Sequence, residues 1–348
     1  MKKKLFIHIG AGKCGSSAIQ TFLGENAKSL KMQGILIPGV KLDLESLVNG
    51  NQIWFFENGT KNIDFISAVK RRFTRLHRYM IDEDLSTLIV SAENLSNPGI
   101  FPDLFTDLNH LFEIKVICYV RRQDEYLISA WQQWYLKVFS SFEEYINELG
   151  HRVDWFTVLE PWRKEFGKEN LSVRIYDKSV LINGNVIDDF AHCLDIDQAK
   201  TREVNRKVNR SMDEKFNHTA NKYRHELFSS IHDNEFYQFL ADIYGNQAFK
   251  NYSGSSQLTL DQRRFIVNKY DRSNRNLWEM YFSDKDVCEK VFSDPNAREV
   301  YQRNDGIKAD SDLGYLLVGM FGLYKRHNNE IGRLQEVIEK QNQHIEVV

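Results

Sequence analysis

What this sequence lacks narrows it first. Cysteine is scarce: the 348 residues hold four, Cys14, Cys118, Cys193 and Cys288, with no C-x-x-C pair and no cysteine–histidine ligand spacing. That argues against a disulfide framework or a structural metal site as the organising device. It also places the chain in a reducing compartment, so the expectation is cytoplasmic, at most against the inner membrane surface. Long apolar runs are missing too. No stretch reaches 18 consecutive apolar residues, so no transmembrane helix is expected. The N-terminal MKKKLFIHIG has a basic start but too short an apolar run and no small-residue cleavage site, so it reads as a first strand rather than a signal. Charge of one sign is also absent. A net charge of −2 gives no reason to expect nucleic acid or an anionic membrane as a global partner. Internal repeats and low-complexity segments are not found. With 42% apolar residues the chain has ample material for a large core.

What the sequence does have is concentrated between Leu5 and Leu23, LFIHIGAGKCGSSAIQTFL. Leu5, Phe6, Ile7 and Ile9 form a short apolar run stopped by Gly10, Gly12 and Gly15, and Ile19, Phe22 and Leu23 then fall at helical spacing. Strand, glycine turn and helix in that order leave backbone N–H groups at a helix N-terminus, which favours a bound anion and most naturally a phosphate. Lys13 adds a cation inside the turn, and Ser16 and Ser17 add hydroxyls. A Walker A loop would need its lysine directly after the last glycine, whereas Lys13 precedes Gly15. Gly10, Gly12 and Gly15 match the dinucleotide pattern G-x-G-x-x-G literally, but no acidic residue follows a second strand about twenty positions on.

The string HIGAGKCGSS, followed by AIQTFL, resembles the 5′-phosphosulfate loop of sulfotransferases that use 3′-phosphoadenosine 5′-phosphosulfate (PAPS), through Lys13, Gly15, Ser16, Ser17 and Gln20. A second stretch adds to it. After the strand IKVICYV comes RRQDEYLISAWQQW, where Arg121 and Ser129 stand eight residues apart. An arginine at a strand end and a serine early in the next helix can grip one phosphate from two sides. This resembles the family's 3′-phosphate motif, with Arg122-Gln123 standing where Asp-Pro or Asn-Pro is usual. Spacing favours Arg121 over Arg122 for the contact. The resemblance implies a PAPS-dependent sulfotransferase of the bacterial carbohydrate type. Gly12, Lys13, Cys14, Gly15, Ser16 and Ser17 would hold the 5′-phosphosulfate, and Arg121 and Ser129 the 3′-phosphate. PAPS would be the co-substrate and PAP the product, with no metal required. The acceptor is expected to be a small molecule or glycan hydroxyl. Lys13 would neutralise the leaving group, and Glu93 is the first candidate for the base, with His8 the second. A P-loop kinase or NTPase is the alternative, weakened because Val90 leads into Ser91-Ala92-Glu93 rather than an aspartate.

The fold expected from the alternation of strands and helices is α/β: a three-layer arrangement with a central parallel sheet of about five strands, followed by a largely helical half. The strands are placed at the N-terminus, Ile35–Ile37, Leu85–Ala92, Ile114–Val120 and Leu171–Tyr176, with continuous apolar runs befitting a sheet covered on both faces. Three segments are expected: 1–200 as nucleotide-binding core, 201–310 as a helical extension completing the acceptor cleft, and 311–348 as a C-terminal helix. The resemblance further implies a late basic loop closing over PAPS, for which Arg206, Lys207 and Arg210 are the candidates. The amphipathic tail leaves three placements open: its own domain, a second subunit in a homo-oligomer, or a membrane surface.

Overall fold

The structure is a computed structural model and describes residues 2–62, 64–99, 101–203, 212, 214–245, 258–283, 289, 291–292 and 311–345. The proposed lid residues Arg206, Lys207 and Arg210 lie outside the described residues, as does Cys288. Five strands, β1 (Lys3–His8), β2 (Ile35–Leu36), β3 (Thr87–Ser91), β4 (Phe112–Val120) and β5 (Leu171–Ile175), form one sheet in the order β2-β3-β1-β4-β5. Every pairing is parallel, with Ile7 level with Val90 and Val116, and His8 level with Ser91 and Ile117. The expected α/β architecture with a parallel five-stranded sheet is therefore the fold observed. Continuous apolar strands need cover on both faces: Leu5, Ile7, Leu88, Ile89, Val90, Val116, Ile117 and Val120 are all buried.

The chain divides into two compact units that interleave along the sequence, where the sequence reading draws contiguous segments. The first comprises Met1–Leu127, Leu149–Val208 and Leu260–Asn296, and contains the sheet. Its helix Phe65–Asp82 shows why periodicity is informative. Phe65, Val69, Phe73, Leu76 and Met80 are buried on one stripe, and Phe73 packs edge-on against Phe105 and Phe112 at 5.6 and 6.1 Å. The basic outer face of that helix is committed to carboxylates: Lys70 to Asp107, Arg72 to Asp43 and Arg75 to Glu45.

Sequence and structure part at several element ends. The helical stretch after the glycine loop is broken into Ser16–Glu25 and Ala27–Met32, because the Asn26 side chain turns back to the carbonyl of Phe22 and accepts from the backbone N–H of Arg202. Between β3 and β4 the chain forms a short helical turn, Asp103–Thr106, and a 3₁₀ turn, Asp107–His110, and β4 begins at Phe112, two residues before the strand start placed from sequence.

The second unit comprises Ile128–Glu148, Asn209–Thr259 and Ala297–Val348, and its described part is helical. The tail is a single helix, Ser311–Ile345, running through several glycines. One of its faces docks on the helix Glu235–Tyr244, with Phe321 packed against Phe236 and Phe239, each at 5.4 Å. No described helix is long and apolar enough to cross a membrane.

Candidate active site

The order of the strands sets where a ligand can sit. From β1 the chain moves to one side for β2 and β3, then crosses to the other side for β4 and β5. The switch point therefore lies at β1, and in open parallel sheets the crevice beyond the carboxyl ends of the strands at that point is where ligands bind. The glycine loop leaves β1 there. Its first residues remain hydrogen-bonded to the sheet edge: Ile9 N–H donates to Ile117 O at 2.9 Å, Ala11 N–H to Tyr119 O at 3.0 Å, and Tyr119 N–H to Gly10 O at 2.7 Å. On the other side Ala92 N–H donates to His8 O at 3.0 Å, which brings Glu93 up beside the loop. A Cβ on Gly10 would stand 3.1 Å from both Cα and Cβ of Glu93, so this approach depends on glycine.

The loop ends at Gly15, which occupies the left-handed region at φ 84° and begins the helix Ser16–Glu25 with no side-chain cap. At that start Ala18 N–H and Ile19 N–H both donate to Gly15 O, at 3.0 and 3.1 Å, and the positive end of the helix dipole faces the loop. Lys13 is also left-handed, at φ 62°. Burial, and next the neighbouring Arg121 guanidinium, lower Lys13 to about 8; Glu93 acts in the opposite direction. Two cations brought together at an uncapped helix start make a place where an anion is favoured.

Arg121 follows β4 directly. Its Nη1 donates to Lys13 O at 3.2 Å, its Nη2 to Glu125 Oε2 at 3.0 Å, and its guanidinium lies 5.6 Å from the ring centre of Tyr176. Trp155 Nε1 donates to Arg121 O at 2.7 Å and fixes the backbone there. Arg122 faces elsewhere. It makes a two-pronged contact with Asp124, at 2.7 and 3.2 Å, inside a buried cluster that Arg263 completes at 2.7 Å from Asp124 and 2.6 Å from Glu125. Of the two arginines, Arg121 is the one bonded to the loop. Ser129 is half-buried on the helix Gln123–Gln133, in the part assigned to the second unit, and the site is built from the first unit alone.

The remaining candidates divide by environment. Glu93 opens a short 3₁₀ turn after β3, is half-buried, and accepts a hydrogen bond from the Ser16 hydroxyl. That hydroxyl is occupied, so what Ser16 offers an anion is its backbone N–H. Ser17 is half-buried on the same turn, and Gly12 is buried in the loop. Cys14 is fully buried; burial pushes its thiol up, so it is loop packing rather than a reactive group. His8 is fully buried between Tyr119 and Phe190, with Nδ1 2.8 Å from Ser91 Oγ, and burial lowers it to about 3. It is a neutral core histidine under ordinary conditions.

Sequence reasoning singles out neither Tyr176 nor Glu125. Tyr176 lies one residue beyond β5, at the carboxyl end of a parallel strand, and a Cβ on Gly15 would come within 2.8 Å of its ring. Strand-end position is the signal that could have found it. Glu125 carries none, since a glutamate in a first helical turn is ordinary.

Comparison with known proteins adds little identity. No protein-family model matches the chain. An uncharacterized protein of Archaeoglobus fulgidus is 28% identical over 225 residues, covering 63% of this chain and 60% of that protein. The chain thus spans about 60% of the length of this curated relative. Among solved structures, a sulfotransferase from Alicyclobacillus acidocaldarius is similar at 14% identity and a TM-score of 0.37, over 65% of this chain and 95% of its own. A sulfotransferase domain from the curacin biosynthetic pathway is similar at 13% identity and a TM-score of 0.37, over 78% of this chain and 98% of its own.

Proposed function

We propose that this protein is a sulfotransferase that moves the sulfuryl group of PAPS to an acceptor hydroxyl, with a glycan or other saccharide as the acceptor class. The observation that carries the reading is the Arg121 guanidinium bonded to the Lys13 carbonyl at the switch point, in the loop that leads into a helix start without a side-chain cap, where Ser16 donates to the Glu93 carboxylate. Those are the parts a sulfuryl transfer needs, and they coincide with the two stretches that resemble the family's phosphate motifs. The acceptor class rests on the resemblance alone.

In such a reaction the acceptor oxygen forms a bond to sulfur as the bond from sulfur to the 5′-phosphate oxygen breaks, with charge building on the departing oxygen. By analogy with phosphoryl transfer, catalysis is mainly positioning and charge stabilisation. Lys13 and the N–H groups at the start of the helix would meet the departing charge. Arg121 would hold the 3′-phosphate through guanidinium N–H groups beyond those that donate to Lys13 O and Glu125. Glu93 would accept the acceptor's proton. His8 is less suited to that step, because its ring is buried and its Nδ1 is committed to Ser91.

Release of PAP from PAPS in the presence of a saccharide panel tests the reading. Lys13→Ala should lower turnover by about 10²–10³-fold. Glu93→Gln should lower it by about 10²–10⁴-fold while leaving PAP affinity near that of the wild type. Near-normal turnover in Lys13→Ala would overturn its role, and ATP hydrolysis requiring Mg²⁺ would favour the kinase or NTPase alternative.

A further inference from the structure

We infer that the C-terminal helix is one strand of a parallel, two-stranded coiled coil with a second copy of this chain. The helix Ser311–Ile345 has two apolar faces, and among the described residues one of them is covered and the other is not. Leu317 and Phe321 are buried at 5% and 2% exposure, and Tyr324 packs 5.2 Å from Phe239, its hydroxyl 3.0 Å from Asp242. The other face carries Leu316, Met320, Leu323, Ile331, Leu334 and Ile338, between 41% and 64% exposed. With His327 included, their spacing is 4, 3, 4, 4, 3 and 4, and the sequence continues it through Gln341 and Ile345. This is a heptad seam with one extra step of four, a stutter that locally relaxes the supercoil. Over 326–339 the residues are exposed around the helix, Gly332 excepted, so no described part of the chain covers the seam there. A helical stretch of about fourteen residues exposed on all sides is marginal in water.

The residue types select the occupant. Where the heptad is regular, Ile331, Ile338 and Ile345 take one seam position and Leu334 the other. A β-branched residue at the first position with leucine at the second favours two parallel strands. In that register Glu330 faces Gln335 of the partner helix, so no like charges oppose each other across the flank. His327 and Gln341 become polar layers that meet their own counterparts and penalise slipped registers. A membrane surface fits less well. Residues 325–345 carry four Lys or Arg against three Glu, without the cationic face that interfacial helices present. This inference is independent of the nucleotide reading.

Sedimentation equilibrium of the full chain at micromolar concentration tests it. The wild type should weigh twice its 40.9 kDa monomer mass. Leu334→Glu with Ile338→Glu, both at exposed positions, should weigh 40.9 kDa with unchanged PAP affinity, and its far-ultraviolet helical signal should fall by no more than the exposed part of this helix contributes. Mild oxidation of Ile338→Cys should give a dimer-sized band on a denaturing gel that the oxidised wild type does not give. A monomeric wild type, a variant that stays dimeric, or a wild type that cosediments with phosphatidylserine vesicles as a monomer would overturn the inference. A dimer without the Ile338→Cys cross-link would overturn its parallel arrangement.

Discussion

Lys13 shows how much one side chain's surroundings can decide. Burial and the Arg121 guanidinium bring it from the ordinary 10.5 to about 8, so in the free protein its charge is lost as pH rises through about 8. A bound anion favours the charged form, so above pH 8 binding must take up a proton from solvent, and PAP affinity should be flat below pH 8 and fall above it, approaching tenfold per pH unit. Titration calorimetry from pH 6.5 to 9.5 would measure this, and Lys13→Ala should lose the decline. The sign for stability is the reverse. A lysine whose folded value is depressed destabilises the fold at low pH, and that penalty is relieved as pH rises from about 8 towards 10.5. Gly15 is the other residue on which the loop turns. It sits at φ 84°, and an added methyl would stand 2.8 Å from the Tyr176 ring and 3.0 Å from both Val186 γ-carbons. Gly15→Ala should therefore cost at least about 1–2 kcal/mol, read from the urea midpoint.

Among the elements, the helix Gln123–Gln133 is tied down by a buried ion cluster whose distant member could not be foreseen. Arg263 and Asp124 are both fully buried and 2.7 Å apart, 139 residues apart in sequence. Removing one partner of such a pair leaves the other charge uncompensated. Arg263→Met should therefore destabilise by about 3–5 kcal/mol, towards the lower end because Arg122 still neutralises Asp124, and chemical denaturation would measure the loss. The strands and the glycine loop are legible because each is a local signal: an apolar run, a glycine stop, a change of period. The break at Asn26 and the short turns before β4 are not, because both are set by groups far along the chain or by packing. Asn26 answers to Arg202, 176 residues away. The same holds at the site. Lys13, Glu93 and Arg121 can be named from strand ends and spacing, whereas Glu125 cannot, since its importance comes from Arg121 and Arg263.

For the whole molecule, the sheet order is the decisive fact, because it gathers residues from the ends of β1, β3, β4 and β5 at one edge. Lys13, Glu93, Arg121 and Tyr176 are separated by up to 163 positions, yet each follows a strand of the same parallel sheet. Sequence pattern predicts that such strands exist and that their carboxyl ends carry function. It does not give their lateral order, which arises from how the crossovers pack, and so the pairing of Lys13 with Arg121 becomes visible only in the fold.

The central claim is that this edge reads a 3′-phosphate, and the most direct measurement compares the affinities of PAP and AMP for the wild type and for Arg121→Ala. The two ligands differ only by that phosphate. The wild type should bind PAP more tightly than AMP, and Arg121→Ala should remove most of the difference while AMP binding is little changed. Equal binding of PAP and AMP by the wild type, or a preference for ATP with Mg²⁺, would contradict it.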